Sequence, residues 1–434
     1  MPLNKYWLVP QISAIIVGLL FATLILSGAV VSLGKNIPQT DILTDYLTGV
    51  LLAVCIGLII LFIPFSPQTK RGLIIIWILK TLVTLGLMLF YEAYYDVVDA
   101  YGYFNLPRQD FKWTGFSLFG KGNGSTENIY NLVWLYYKVL PESYHGLKVS
   151  FALIGLIATY VFYQAAVLFL QREDVRFLYG LGLYPSLIFW SAIIGKDPLS
   201  FLAIAFYTYG VIGTYQHKKP WYIFITFLGL FLAIFVRTWL SIILLLPVTI
   251  LSLQSIKNVW RKSVFLLLTS SSLVLAVKIL QTQFGIVSYQ DVGDKFFLVA
   301  GEWSDMWFLG ENLPTYLTET YQVIAFLPLG MLLTLFRPFP GDPFNPFSWL
   351  SLICNLPLLI LLGFAFARTK WQDFKEPLVL WATILIITWA GVYAFTSSDR
   401  YRIQILPILL GLLLYLGRKR MPKTLNNDRQ SNFY

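Results

Sequence analysis

Apolar runs of about 16–24 residues, the length that crosses a ~30 Å hydrocarbon core, recur along the whole chain between short polar breaks. They fall near 8–33, 47–65, 73–95, 147–170, 177–194, 198–215, 263–281, 348–367, 378–396 and 403–417. A further run, 221–253, is 33 residues long, and as one straight helix it would measure ~50 Å and overshoot the core. Basic residues flank it on both sides, at Lys218-Lys219 and from Lys257, so it must cross an even number of times. The pattern predicts a hairpin of two short helices with Arg237 at its tip. The fold class is therefore all-α: a polytopic transmembrane helical protein, one integral membrane domain over 1–434, with about 12 spans (11–13).

The stretch 321–347 breaks the alternation. Counted as a full crossing, it would put the basic residues at 368–375 on the opposite face from the other basic clusters. A segment that dips in and returns, or an interfacial helix, keeps "FRPFPGDPFNPF" (336–347) on the outer side and restores the pattern. Two large loops then face outward, 96–146 and 282–347. The second carries Asp291, Asp294, Glu302, Asp305, Glu311 and Glu319, and loops beyond ~12–15 residues are often functional. The N-terminal run is too long for a signal-peptide core and has no small-residue cleavage site, so it reads as a retained helix. No internal repeat is visible.

Composition agrees with the pattern. The chain is 57% hydrophobic and 12% charged, with a mean hydropathy of +0.68, and leaves no room for a soluble domain of ~100 residues. The formal charge of +10 resides largely in clusters between spans: Lys70-Arg71, Arg172 and Arg176, Lys218-Lys219, Lys257 with Arg261-Lys262, Arg368 with Lys370 and Lys375, and Arg418-Lys419-Arg420. The positive-inside rule assigns these to the cytoplasm together with both termini. The excess charge thus sets orientation and gives no sign of a nucleic-acid partner. Both cysteines, Cys55 and Cys354, lie inside apolar runs and suggest no disulfide framework. With two histidines in the chain, a histidine-rich metal site is not expected.

The remaining embedded charges converge on the outer side. "AIIGKDPLSF" (192–201) places Lys196 and Asp197 at a span end, with Pro198 suited to the first turn of the next helix. Asp96 and Asp99 stand in "YYDVVDAYGYF" (94–104), Arg237 in "FVRTWL", Arg337 in "FRPFP", and Asp399, Arg400 and Arg402 in "TSSDRYRIQILP" (396–407). Ionisable residues near spans are costly and usually face protein or water, where they mark sites. Two carboxylates opening a loop can supply a general base or bind a cation, and several Arg and Lys at one depth suit an anionic group such as lipid phosphate. Tyr101, Tyr103 and Trp113 could stack on a sugar ring. Each feature also has a plainer reading: a helix cap or ion pair at Lys196-Asp197, a snorkelling side chain at Arg237, solvated turns at Asp399-Arg400 and in the acidic loop, and a buried partner at Lys80, in mid-span.

The motif "DAYGY" (99–103), opening the large first outer loop of a polytopic chain, resembles the GT-C superfamily of membrane glycosyltransferases, which includes protein O-mannosyltransferases and lipid A aminoarabinose transferases. "WSAIIGKDPLSFLAIAFYTYG" (190–210), "FVRTWLSIILLLP", "FRPFP" and "DRYRIQILPILL" are similar to membrane proteins of that general type associated with bacterial surface polysaccharide. The likeness spans most of 73–417, preceded by two additional helices in 1–72 and followed by a basic tail, 418–434. It implies an enzyme of the bacterial plasma membrane that takes a sugar from a polyprenyl-phosphate donor to a glycan, lipid or protein acceptor on the extracytoplasmic face. It also implies that Asp99 is the catalytic base with Asp96 in support. Some members need a divalent cation, which the acids could hold, though no spacing in this sequence requires a cofactor.

The chemistry expected is inverting transfer through an oxocarbenium-like transition state. Lys196, Arg237 and Arg400 or Arg402 would stabilise the departing lipid phosphate. A polysaccharide polymerase or ligase acting on polyprenyl-diphosphate glycans remains the nearest alternative. A lipid-linked sugar transporter or flippase fits less well, because charges near the midplane and inverted repeats are what that class shows. A cysteine transpeptidase would need a Cys and His pair, and neither Cys55 nor Cys354 lies near an outer span end with a His.

Overall fold

The computed structural model describes residues 30–95, 98–109, 124–255, 320–342, 346–394 and 399–418, with isolated positions before 30, between 110 and 123 and between 258 and 267. Within the described residues the chain is helical, with no strand. In chain order the helices are α1 (Ile42–Phe62), α2 (Pro67–Tyr94, with a π turn at Val83–Leu87), α3 (Asp99–Asn105), α4 (Gly124–Val139), α5 (Tyr144–Leu170), α6 (Val175–Gly182) and α7 (Pro185–Trp190). There follow α8 (Lys196–His217), α9 (Pro220–Val236), α10 (Thr238–Ser255), α11 (Thr320–Phe336), α12 (Pro346–Arg368), α13 (Pro377–Val392), α14 (Asp399–Arg402) and α15 (Leu406–Leu416). Four of them, α1, α2, α5 and α12, are long and apolar enough to cross a membrane, and α9, α10, α11, α13 and α15 contain shorter apolar helices. The expected spans 8–33 and 263–281 lie mostly, and the tail from 419 wholly, outside the described residues.

Local chemistry sets many of the boundaries. Asp41 caps α1 by accepting from Thr44 N at 3.1 Å, Ser66 caps α2 ahead of Pro67, and Ser143 Oγ caps α5 by accepting from Gly146 N at 2.9 Å. Gln171 (φ 52) and Lys218 (φ 55) end α5 and α8 in the left-handed conformation. The run 221–253 breaks where its length requires, at Arg237, the single non-helical residue between α9 and α10.

Two expectations are corrected. The run 177–194 is not one helix: Pro185 has no amide to donate and holds Tyr184 at ψ 119, so the chain divides into α6 and α7. The stretch 96–146 is no open loop, because α3 and the amphipathic α4 occupy it. Within 321–347, where a re-entrant segment or an interfacial helix is expected, Thr320–Phe336 is helical, and its apolar sequence tolerates Pro328 inside the helix.

α8 packs along α5 on one side and α9 on the other. Glycine permits the second contact: a Cβ on Gly229 would lie 2.4 Å from Tyr207 N, and one on Gly210 2.4 Å from Thr226 Oγ1. The contacts also sort the polar residues by end. At one end α1 meets α5 through Asp45 and Tyr144, α2 meets α5 through Glu92 and Lys148, and α8 meets the α9–α10 junction and α14. At the other end Gln171, after α5, bonds Gln216 of α8 at 2.6 Å, the Phe169 ring of α5 meets that of Tyr415 in α15 at 5.6 Å, and Arg368 of α12 bonds the Gly417 carbonyl at 2.6 Å.

Candidate functional site

The site grows from Asp197, in the first turn of α8. Its side chain is 0% exposed and both oxygens are occupied. Oδ1 accepts from Arg237 Nη2 at 2.7 Å, and Oδ2 accepts from Arg400 Nε. Arg237 is itself buried and lies over the Tyr401 ring, 4.6 Å from its centroid, a cation–π contact that strengthens away from water. Trp239 Nε1 donates to Tyr393 OH at 3.0 Å, and Tyr393 stacks on Trp389 at 4.7 Å. An aromatic wall thus stands behind the buried arginine.

Arg400 links this core to the surface. Its Nη1 donates to Asp99 Oδ2 at 2.8 Å, and the Asp99 side chain is 61% exposed against 17% for Arg400. Residues 99, 197, 237 and 400, far apart in sequence, therefore form one chain of charge-assisted hydrogen bonds: exposed carboxylate, arginine, buried carboxylate, buried arginine. Lys196 Nζ donates to Thr126 Oγ1 of α4 at 2.7 Å. It stands at the mouth of α8, ahead of the apolar run that starts at Pro198, and burial first and Arg237 second pull its ammonium down to about 8.

Helix α3 carries Asp99 and is held from below. Tyr137 OH donates to the Phe104 carbonyl at 3.0 Å, and Tyr101 OH donates to the Glu92 carbonyl at 3.4 Å. Tyr103 is buried, its ring 5.6 Å from that of Tyr130, and a Cβ on Gly195 would come within 3.1 Å of its Cε2. Its ring is a wall of the site and offers no open face for stacking. Burial, then Asp99, raises its phenol above the usual range. Trp113 is exposed and meets Trp134 at 5.4 Å.

Two expected phosphate ligands have other partners. Arg402 is buried, and its Nη1 donates to the carbonyls of Leu335 at 3.1 Å and Arg337 at 2.7 Å. The Arg337 guanidinium pairs with Asp342 at 2.9 and 3.2 Å. Together they fix the turn after α11 beside α14. Asp96 lies outside the described residues, as do the acids at 291–319, and of Asp399 only the backbone is described, as the first residue of α14. Among the described residues no group of three or more His, Cys, Asp or Glu side chains is gathered for a metal ion.

The structure adds a second polar cluster that the sequence did not announce. Glu92 Oε1 accepts from Tyr144 OH at 2.7 Å, and Oε2 accepts from Lys148 Nζ at 2.9 Å. Asp45 accepts from Tyr144 N at 2.7 Å and meets His145 Nδ1 at 2.5 Å. All of these side chains are buried. Lys80 is buried too, and its ammonium reaches Ser191 Oγ and the Ile188 carbonyl. The one available signal was an ionisable side chain inside an apolar run, which demands a partner.

Comparison of the chain with protein-family models, with curated proteins and with solved structures finds no match.

Proposed function

We propose that the chain is a membrane glycosyltransferase of the GT-C type, with about 12 crossings, both termini in the cytoplasm and the site on the extracytoplasmic face of a bacterial plasma membrane. Its donor is a sugar on polyprenyl phosphate and its acceptor the hydroxyl of a glycan, lipid or protein. One observation carries the reading: an exposed carboxylate, Asp99, shares an arginine with a buried carboxylate–arginine pair. A base and a cationic phosphate site thereby lie side by side.

Asp99 takes the acceptor's hydroxyl proton as the acceptor oxygen bonds to the anomeric carbon. The bond from that carbon to the phosphate oxygen breaks, and polyprenyl phosphate leaves with the electron pair. Displacement from the opposite face inverts the anomeric configuration. The leaving phosphate gains one negative charge, and Arg400, Lys196 and the field of Arg237 counter it. Asp197 is a positioning residue that aims both guanidinium groups.

The test is mass spectrometry of polyprenyl-linked sugars and surface glycan in cells lacking the gene, rescued with wild type or Asp99→Asn. A single-sugar polyprenyl monophosphate should accumulate while one sugar vanishes from the glycan, and Asp99→Asn should not rescue. Complete repeat units on polyprenyl diphosphate, with loss of long chains, would instead identify a polymerase.

A further inference from the structure

The two carboxylates on Arg400 are not equivalent. Asp197 is sealed in, shares its other oxygen with Arg237 and meets Arg400 through Nε. Breaking a buried pair strands a charge in the interior. Asp99 meets Arg400 through Nη1 with its side chain 61% exposed, and an exposed ion pair is held weakly. One side of the guanidinium is therefore anchored and the other is exchangeable. The second terminal nitrogen, Nη2, lies 3.9 Å from where a Cβ on Gly195 would stand. Gly195 has φ +147 and ψ −155, a conformation that favours glycine, and α8 begins there with no side chain capping its first turn.

We propose that Arg400 exchanges Asp99 for the substrate phosphate. In the empty site the base is tied to Nη1. When a phosphate monoester or diester settles against Arg400 and the start of α8, it takes Nη1 from Asp99, and the Asp99 carboxylate is released to accept the acceptor's proton. The base then becomes competent only once the leaving group is seated. Asp197, anchored on Arg237, holds the guanidinium in place through the exchange. This inference rests on the glycosyltransferase reading for its purpose, but the exchange itself is a binding equilibrium that can be measured without turnover.

The experiment uses the full-length purified protein in detergent, with inorganic phosphate and farnesyl monophosphate as probes. Asp99→Asn removes the competitor, so it should bind the probe about two- to five-fold more tightly than wild type. In an Arg400→Gln background the same substitution should have no further effect, which separates exchange on this arginine from general repulsion between Asp99 and an anion. A second readout needs no substitution: amidation of Asp99 by a water-soluble carbodiimide with taurine, followed by peptide mass mapping, should rise when the probe is added. A response to farnesyl monophosphate at lower concentration than to inorganic phosphate assigns the site to a lipid headgroup, and the reverse order assigns it to free phosphate. Equal affinity in wild type and Asp99→Asn, an equal gain in the Arg400→Gln background, or amidation that stays constant would overturn the exchange. A transferase that turns over normally while failing these tests would keep its function and lose this device.

Discussion

Replacing Asp197 by Asn tests whether the buried carboxylate organises the site. The side chain keeps its volume but not its charge, and one amide oxygen replaces two carboxylate oxygens. Its new N–H₂ group would face either Arg237 or Arg400, donor against donor. Arg237, buried beneath Tyr401, then loses its ion-pair partner. Leaving such a charge uncompensated costs about 3–5 kcal/mol, whereas removing the exposed partner Asp99 costs about 0–1 kcal/mol. The chain supplies its own probe, since Cys354 is buried in α12 and Cys55 is exposed. In a Cys55→Ser background, maleimide modification of Cys354 reports the openings that expose it. With each 1.4 kcal/mol worth tenfold, Asp197→Asn should raise that rate about 100- to 4,000-fold and Asp99→Asn less than about fivefold. Similar rates in the two variants would refute the reasoning, because the depth of burial would then not determine the worth of the pair.

Asp99→Asn should lower turnover by about 10²- to 10⁴-fold, the usual share of a general base, with Cys354 protection nearly unchanged; near-normal turnover of the lipid-linked sugar would remove Asp99 from the role. Gly195→Ala should destabilise by about 1–3 kcal/mol through backbone strain alone, and a companion Tyr103→Leu should not restore it; full rescue in the Cys354 assay would show that the ring contact, not φ, was the obstacle. Lys196, charged below about 8 and neutral above it in the empty site, should bind farnesyl monophosphate less tightly as pH rises through that value, with the decline absent in Lys196→Met. Single cysteines placed at 196, 341 and 399 should all label from the outer side of intact cells; labelling of 196 or 399 from the cytoplasmic side would break the common-site argument, and that of 341 alone would reorient only the turn after α11.

What the sequence made legible follows from how far each signal reaches. The break at Arg237 could be read because a 33-residue apolar run has one length and a membrane has another. The start of α8 could be read from Pro198, whose preference for a first turn is local. The split of 177–194 was also written locally, in Pro185, but a continuous apolar run outweighed it. Pairings across the fold had no such signal. Glu92 and Lys148 are 56 positions apart, Asp45 and His145 100, and Arg400 and Asp99 301. Charge alone says that each needs a partner, not which one. Arg402 shows the converse: its charge suggested a ligand for phosphate, and its Nη1 donates to two backbone carbonyls, of Leu335 and Arg337, that no local pattern announced.

The charge gathered at the site fits the proposed reaction step by step. Lys196, Arg237 and Arg400 carry three positive charges, and Asp99 and Asp197 carry two negative ones, a sum of +1. A polyprenyl-phosphate sugar is a diester and carries −1, so the loaded site is neutral. During transfer Asp99 gains a proton and the protein side becomes +2, while the departing monoester becomes −2, and the sum is again zero. No net charge has to be created beside the buried Asp197–Arg237 pair, where it would be expensive; charge is only moved from the carboxylate to the phosphate, across the arginine that touches the one and is placed to meet the other. That movement requires Arg400 to bind either group without being fixed to both, which is what an anchored Nε and an exchangeable Nη1 provide.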